Sequence, residues 1–187
     1  MNLTSHIQAG LNKKKPCDRT VVVALDLKRA FDTVDHDQLN ADIMETTMPM
    51  SVKRWTINYL RGRQTFVEYQ NAKSKLRKLR VGVPQGGVLS PILFNLYLSS
   101  IPKPTNGVHL ISYADDCTVF ASGPEIAPIC AKINAYLESL HEWLTHRKLE
   151  LSASKSTVTL FTTFSGDYKN ELQVKIDDTI IPVCKQP

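Results

Sequence analysis

The sequence predicts an α+β domain in which helices pack against one mainly antiparallel sheet. Three stretches carry that expectation. Val21-Val-Val-Ala-Leu25 is a short, β-branched, uninterrupted apolar run, the pattern of a strand buried on both faces. Residues 110–121 place two runs rich in β-branched and aromatic side chains around the adjacent carboxylates Asp115 and Asp116, which reads as a hairpin with the pair at its tip. Ile126, Ile129, Ile133, Leu137, Leu140 and Leu144 keep helical spacing over about five turns, as a helix lying under a sheet does.

The remaining elements follow in order. Leu3, Ile7 and Leu11 sit at i, i+4 and i+8 and predict a helix over 3–11, followed by the polar linker Asn12-Lys-Lys-Lys-Pro16. After the strand at 21–25, Asp35 is placed to cap a helix over about 36–46 with Leu39 and Ile43 on one face. Pro49 breaks that pattern, and Val52, Trp55 and Tyr59 predict a second helix ending near Gly62. Residues 64–69 and 76–83 read as strands of a basic hairpin turning around Asn71. Gly82-Val-Pro-Gln-Gly-Gly87 is a loop whose glycines admit close backbone approach, and no Gly-Lys-Ser/Thr follows to make it a phosphate-binding Walker loop. Ser90-Pro91 predicts a capped helix start, with Ile92, Leu93, Leu96, Tyr97 and Ile101 as its buried face and Pro102 and Pro104 beyond its end. Residues 157–163, 172–176 and 179–183 are expected to form closing strands.

Composition excludes several classes. With 187 residues the chain can bury about 70% of its unfolded surface as one domain. A hydrophobic share of 42% and a charged share of 22% are those of a globular protein, not a disordered one. No apolar run approaches the ~20 residues of a membrane span, and the N-terminus lacks a signal peptide's apolar core. The four cysteines include no Cys-x-x-Cys pair, which argues against a zinc knuckle and suits reduced thiols inside a cell. Between positions 53 and 80 nine basic residues face Glu68 alone, a net charge of +8. Such a segment is either a solvated ribbon or a track for a phosphate backbone.

Asp26 ends the apolar run, and a carboxylate at the end of a central strand projects from a rigid edge. Asp-Asp at a turn is by itself ordinary turn chemistry, and Lys175-Ile-Asp-Asp-Thr-Ile-Ile181 offers an internal comparison. If strand 21–25 lies beside hairpin 110–120, Asp26 meets Asp115 and Asp116. Three carboxylates there would hold two magnesium ions about 4 Å apart, an arrangement suited to in-line phosphoryl transfer.

Six motifs occur in order along the chain: Ala24-Leu-Asp26, Ala30-Phe-Asp32-Thr-Val-Asp-His36, Gly82-Val-Pro-Gln-Gly86, Leu89-Ser-Pro-Ile-Leu-Phe-Asn-Leu-Tyr-Leu98, Tyr113-Ala-Asp-Asp116, and Leu149-Glu-Leu151 with Lys155-Ser156. Together they resemble the palm of a reverse transcriptase of the non-LTR (LINE-type) retrotransposon kind, a resemblance running from about Leu3 to Cys184 with a palm core over about 20–163 of a partial domain at 1–187. It implies an RNA-directed DNA polymerase with a palm-like antiparallel sheet. Asp26, Asp115 and Asp116 would be catalytic and would ligate two Mg²⁺ ions, or Mn²⁺ in their place, with the Leu27 carbonyl as a further ligand. Phe31 would gate the sugar of the incoming deoxynucleotide. Gln85 and Gly86 would contact the nascent pair, Lys155 would sit near the triphosphate, and Arg61, Arg63, Arg80 and Tyr113 would contact nucleic acid. The implied partners are an RNA template, a DNA primer and dNTPs, with no membrane and an intracellular site.

The same resemblance leaves Asp177-Asp178 outside the metal motif, as a turn. It also leads to the expectation that fingers and thumb are largely absent and that the chain is a truncated copy, inactive alone. Where relatives often carry Asn after Leu-x-Leu, this chain has Ser152. A non-catalytic remnant that only binds nucleic acid or a protein, and a group II intron-type reverse transcriptase, are the alternatives.

Overall fold

The structure, a computed structural model, describes residues 2–14, 16–169 and 171–184, so position 15 of the anticipated 12–16 linker lies outside the described residues. In chain order the elements are helix α1 (Leu3–Leu11), strand β1 (Arg19–Leu25), and helices α2 (Ala30–Thr33), α3 (His36–Glu45) and α4 (Met50–Leu60). Four two-residue strands follow, β2 (Gln64–Thr65), β3 (Glu68–Tyr69), β4 (Ala72–Lys73) and β5 (Arg77–Lys78), and then helix α5 (Ser90–Tyr97). The chain continues through β6 (Val108–Tyr113), β7 (Asp116–Gly123), α6 (Ile126–His146), β8 (Thr157–Phe161), a 3₁₀ turn (Ser165–Lys169), β9 (Lys175–Ile176) and β10 (Thr179–Ile180). It divides into two compact units, one of Met1–Lys28, Ile101–His146 and Glu150–Pro187, the other of Arg29–Ser100 and Arg147–Leu149.

The first unit is built on a four-stranded antiparallel sheet in the order β6-β7-β1-β8. β1 is an inner strand because its apolar run leaves no polar face: Thr20, Val21, Val22 and Val23 are all buried. Helices α1 and α6 both pack on β1 and β7. α6 follows its periodicity, burying Ile129, Ile133, Leu137, Leu140 and Leu144, each contributing about 1.5–3 kcal/mol relative to exposure. The closing strands are shorter than expected: β8 ends at Phe161, and 172–176 and 179–183 reduce to β9 and β10. Leu172, Val174 and Ile181 are nonetheless buried, and backbone pairing reaches past the short strands: Ile181 N–H donates to the Val174 carbonyl (2.9 Å), and Val183 bridges in parallel to Val158.

In the second unit α3 packs against α4 and α5. Asp35 caps α3 as anticipated, its Oδ1 accepting from the amides of Asp37 (3.1 Å) and Gln38 (3.0 Å), while Oδ2 pairs with Lys148. The Lys148 ammonium, more than the capping amides, holds the Asp35 carboxyl below its ordinary range. The basic hairpin forms but is interrupted. β2 pairs with β5 and β3 with β4, and the second arm pairs at 72–73 and 77–78 rather than over 76–83. All eight paired residues are exposed, so no buried face enforces a continuous register.

Helix α5 departs from the sequence reading at its start and its face. Ser90 lies inside the helix, its hydroxyl donating to the Pro84 carbonyl, and Leu89 holds the cap position. The buried stripe is Ser90, Leu93, Phe94 and Tyr97, while Ile92 is 63% exposed. Asn95, the helix's polar residue besides Ser90, is exposed three positions from Ile92 and marks the solvent face that Ile92 shares.

Candidate active site

The sheet of the first unit positions the carboxylates. β1 and β7 run antiparallel with a register that ends at Leu25↔Cys117. One residue beyond that pair stand Asp26, just past the end of β1, and Asp116, the first residue of β7. Residues directly opposite in an antiparallel pair share a face, so the next position of this register puts the backbone of Asp26 opposite that of Asp116. The β6–β7 turn is tighter than expected. Tyr113 pairs with Asp116, leaving Ala114 and Asp115 as the two turn residues, with Ala114 at φ 52°. Asp116 is therefore the first strand residue, not part of the tip.

Asp26 is held by its backbone. Its carbonyl accepts from Ser152 N–H (2.8 Å), and its N–H donates to Ser156 Oγ (3.1 Å). Ser156 Oγ in turn donates to the Ser152 carbonyl (2.8 Å), and both serines are buried. Lys28 N–H donates to the Glu150 carbonyl (2.8 Å), which makes the Leu27↔Leu151 bridge a pair without mutual hydrogen bonds. In such a pair the carbonyl of Leu27 faces away from Leu151, toward the opposite edge.

The donor set fits a hard divalent cation. Asp26 Oδ2 is buried with no hydrogen-bond partner, a costly state for a carboxylate oxygen that a cation relieves. Carboxylates and a backbone carbonyl are the ligands Mg²⁺ takes. Among the described residues, however, no three His, Cys, Asp or Glu side chains are gathered closely enough to enclose a metal ion. The anticipated placement of β1 beside the 110–120 hairpin is thus present, whereas the side chains of Asp26, Asp115 and Asp116 do not gather into a metal-sized group. Next to them the Cys117 thiol is pushed up to about 11, first by burial and then by the charges of Asp116 and Asp115. Lys155 is exposed in the turn between Ser152 and Ser156, and Tyr113 is 82% exposed at the end of β6.

The second unit brings Phe31, Gln85 and Gly86 together. With Gly87, Ser90 and Pro91 they line a cavity of about 450 Å³. α2 with the residue that follows it and the loop before α5 are laced together: Gly82 N–H donates to the Val34 carbonyl (2.7 Å) and Val83 N–H to the Phe31 carbonyl (2.8 Å). Gln85 Nε2 donates to Asp32 Oδ1 (2.9 Å), and the Phe31 ring stacks on Phe94 at 4.7 Å. Gly82 is required here. Its φ is +84°, and a Cβ would stand 2.9 Å from the Asp32 carbonyl oxygen. Arg61 and Arg80 are exposed, whereas Arg63 is half-buried with its guanidinium 4.8 Å over the Tyr59 ring. Lys53 leaves the basic track. It is 8% exposed, and its Nζ donates to the Met44 carbonyl (2.7 Å) at the C-terminal end of α3.

Residues 2–178 match the family described as reverse transcriptase (RNA-dependent DNA polymerase). The chain belongs to this family. It is 30% identical over 168 residues to the probable RNA-directed DNA polymerase from transposon BS of Drosophila melanogaster, covering 86% of this chain and 18% of that protein. It is 32% identical over 143 residues to the probable RNA-directed DNA polymerase from transposon X-element of the same species, covering 74% of this chain and 16% of the relative. A type-1 retrotransposable element R2 Pol polyprotein of Popillia japonica is 27% identical over 182 residues, covering 87% of this chain and 24% of that protein. These are proteins of non-LTR retrotransposons, and the chain spans less than a quarter of the length of each. In fold it is similar to telomerase from Candida tropicalis solved with a fragment of telomeric RNA, with a TM-score of 0.62 and 14% identity over 84% of this chain and 28% of that one. The palm-like sheet expected from sequence is consistent with that likeness.

Within this reverse transcriptase fold, sequence reasoning missed Ser156 and Asp32 as supporting residues. Ser156 stands next to Lys155 in a recognised motif, but nothing in its spacing shows that its hydroxyl reaches the amide of Asp26. Asp32, six residues after Asp26, gave no sign of pairing with Gln85 across 53 positions.

Proposed function

We propose that the chain is the catalytic core of an RNA-directed DNA polymerase, extending a DNA primer with dNTPs on an RNA template. The observation that carries this reading is the β1–β7 register. It ends one residue short of Asp26 and Asp116, which supports the two acids as neighbours at the strand end, and one of them has a buried oxygen lacking a partner. Asp26, Asp115, Asp116 and the Leu27 carbonyl would hold two Mg²⁺ ions, or Mn²⁺ as substitute. Bound metal supplies charge stabilisation for the attacking and leaving oxygens of nucleotidyl transfer.

The chain's own residues do the rest. Ser156 and Ser152 fix the backbone at Asp26, so its carboxylate projects from a set position. Phe31, braced on Phe94, presents a ring edge against which a 2′-hydroxyl does not fit. Gln85, anchored by Asp32, and Gly86, with no side chain, contact the nascent base pair and template. Lys155 neutralises triphosphate charge. Arg61, Arg63 and Arg80 contact the phosphate backbone, and Tyr113 lies beneath the primer end.

The test is primer extension on an RNA template by a polymerase-competent protein that includes residues 1–187. Asp115→Asn keeps the side-chain shape and removes a metal-binding charge, so extension is expected to be lost. Asp177→Asn is expected to leave it intact, because Asp177 sits in the β9–β10 turn against His141 (3.2 Å). Equal loss in the two variants would sink the assignment of the metal motif.

A further inference from the structure

Helix α4 begins a column of which the reading above uses only Arg63. Trp55 and Tyr59 are one turn apart with rings stacked at 5.7 Å and 18° between planes, and the Arg63 guanidinium sits 4.8 Å over the Tyr59 ring. Trp55 and Tyr59, four residues apart, share one face of α4, and Arg63, past the helix end and the turn at Gly62, folds back so that its guanidinium also donates to the Tyr59 carbonyl (3.4 Å). Trp55, at the open end, is 57% exposed. At the other end Arg63 stands at the foot of the basic ribbon, its carbonyl accepting from Leu79 N–H (2.9 Å). A flank of the column abuts the loop that lines the Phe31–Gln85 cavity, since a Cβ on Gly87 would lie 3.2 Å from the Tyr59 hydroxyl.

An i, i+4 aromatic pair stabilises a helix by only about 0.2–0.5 kcal/mol, which does not account for leaving a tryptophan mostly in water. The charge around the column says what covers it. α4 has no acidic residue, and the single acid of residues 50–80, Glu68, is paired with Lys73 at 3.4 Å. Arg54, Arg61, Lys75, Arg77, Lys78 and Arg80 are all exposed. A flat aromatic face beside uncompensated cations matches a nucleobase beside its phosphates. Bases within a duplex already have both faces covered, so the occupant is an unpaired strand.

We propose that Trp55, backed by Tyr59 and Arg63, is a stacking platform for an unpaired base of a nucleic-acid strand, next to the cavity formed by Phe31 and Gln85. The strand reads as template only on the polymerase assignment above, but the platform's binding requires neither metal nor catalysis.

The experiment uses residues 1–187 with Trp143→Phe, which leaves Trp55 as the single tryptophan. Oligo(U), oligo(dT) and a blunt duplex of equal length are titrated without divalent cation at two salt concentrations while tryptophan emission is followed. Both single strands are expected to quench Trp55, and the duplex is not. In anisotropy titrations Trp55→Ala is expected to weaken single-strand binding by roughly 5- to 150-fold with an unchanged salt slope, and Trp55→Phe to recover most of it. Quenching by only one of oligo(U) and oligo(dT) would assign the platform to that strand type. Binding without quenching, equal quenching by duplex, equal affinity in Trp55→Ala, or no binding by the parent would overturn the proposal, the last leaving the face to a protein partner. Asp115→Asn is expected to quench like the parent, so loss of the metal assignment and loss of the platform are read separately.

Discussion

Replacing Ser156 by alanine tests whether the anchoring of Asp26 is energetic as well as geometric. The side chain is fully buried, and its Oγ makes two hydrogen bonds, accepting from Asp26 N–H and donating to the Ser152 carbonyl. The two losses are unequal. The Ser152 carbonyl keeps the amides of Ser156 (2.9 Å) and Lys155 (3.2 Å), whereas Asp26 N–H loses the serine hydroxyl that satisfies it. The cost is therefore close to that of one unsatisfied buried donor, about 1–3 kcal/mol. With a urea m-value of about 1–3 kcal/mol/M, a loss near the middle of that range moves the unfolding midpoint by about 1 M. Ser154→Ala is the comparison, since Ser154 is exposed and its hydroxyl approaches Ser152 only at 3.5 Å, so a change within about 0.5 kcal/mol is expected. Hydrogen exchange locates the effect: protection of the Asp26 amide is expected to fall in Ser156→Ala more than protection across Val21–Val23. If the two variants unfold at the same urea concentration, or the Asp26 amide stays protected, Ser156 does not hold the strand end.

With Phe31 as the proposed sugar gate, Phe31→Val in a polymerase-competent protein is expected to lower the dNTP over rNTP ratio of kcat/KM, and an unchanged ratio would remove Phe31 as the gate. The Asp35 carboxyl is held below its ordinary range in the folded state, so it adds stability above the unfolded value near about pH 4 that is lost as pH falls further. Asp35→Asn keeps the cap and is expected to flatten that acid dependence, while Asp35→Ala also loses the cap at about 0.5–2 kcal/mol, both read from denaturation at pH 3 to 7. The Cys117 thiol, pushed up to about 11, and buried Cys130 are expected to resist alkylation at neutral pH, where exposed Cys184 reacts; mass spectrometry after a short pulse of reagent checks the order. Because burial favours the neutral thiol, stability is also expected to decline as pH rises from the unfolded thiol's range toward 11.

Sequence alone located what burial contrast makes visible. The Val21–Leu25 run, the α6 stripe and the Asp35 cap are local signals, each decided within a few residues, and each stands in the structure. What was not legible depends on partners distant in sequence. The face of α5 is chosen by packing, with Asn95 as its single polar marker on the exposed side, and Ser90 is drawn inward by the Pro84 carbonyl. Lys53 reads as one more cation in a basic run until the end of α3 supplies a carbonyl for it. Ser156 and Asp26 are 130 positions apart, and no periodicity connects a serine hydroxyl to an amide at that distance.

The two Asp-Asp pairs show how little separates a turn from a site. Each lies at a two-residue hairpin connection whose first turn residue has positive φ, Ala114 at 52° and Asp177 at 51°. The difference is a shift of one residue. Asp177 and Asp178 occupy both turn positions between Ile176 and Thr179, so neither belongs to a strand. In the other hairpin the pair is displaced by one, so Asp115 closes the turn and Asp116 opens β7. β7 also pairs with β1 along seven positions, whereas β9 and β10 pair only with each other. The shift thus turns a solvated turn carboxylate into one fixed beside the end of a buried strand, where Asp26 stands. Inserting one uncharged residue between Asp116 and Cys117 would put the new residue opposite Asp26 and return Asp116 to the turn, with net charge unchanged. Loss of primer extension with an unfolding midpoint near that of the parent would then locate the function in register rather than in the presence of two acids.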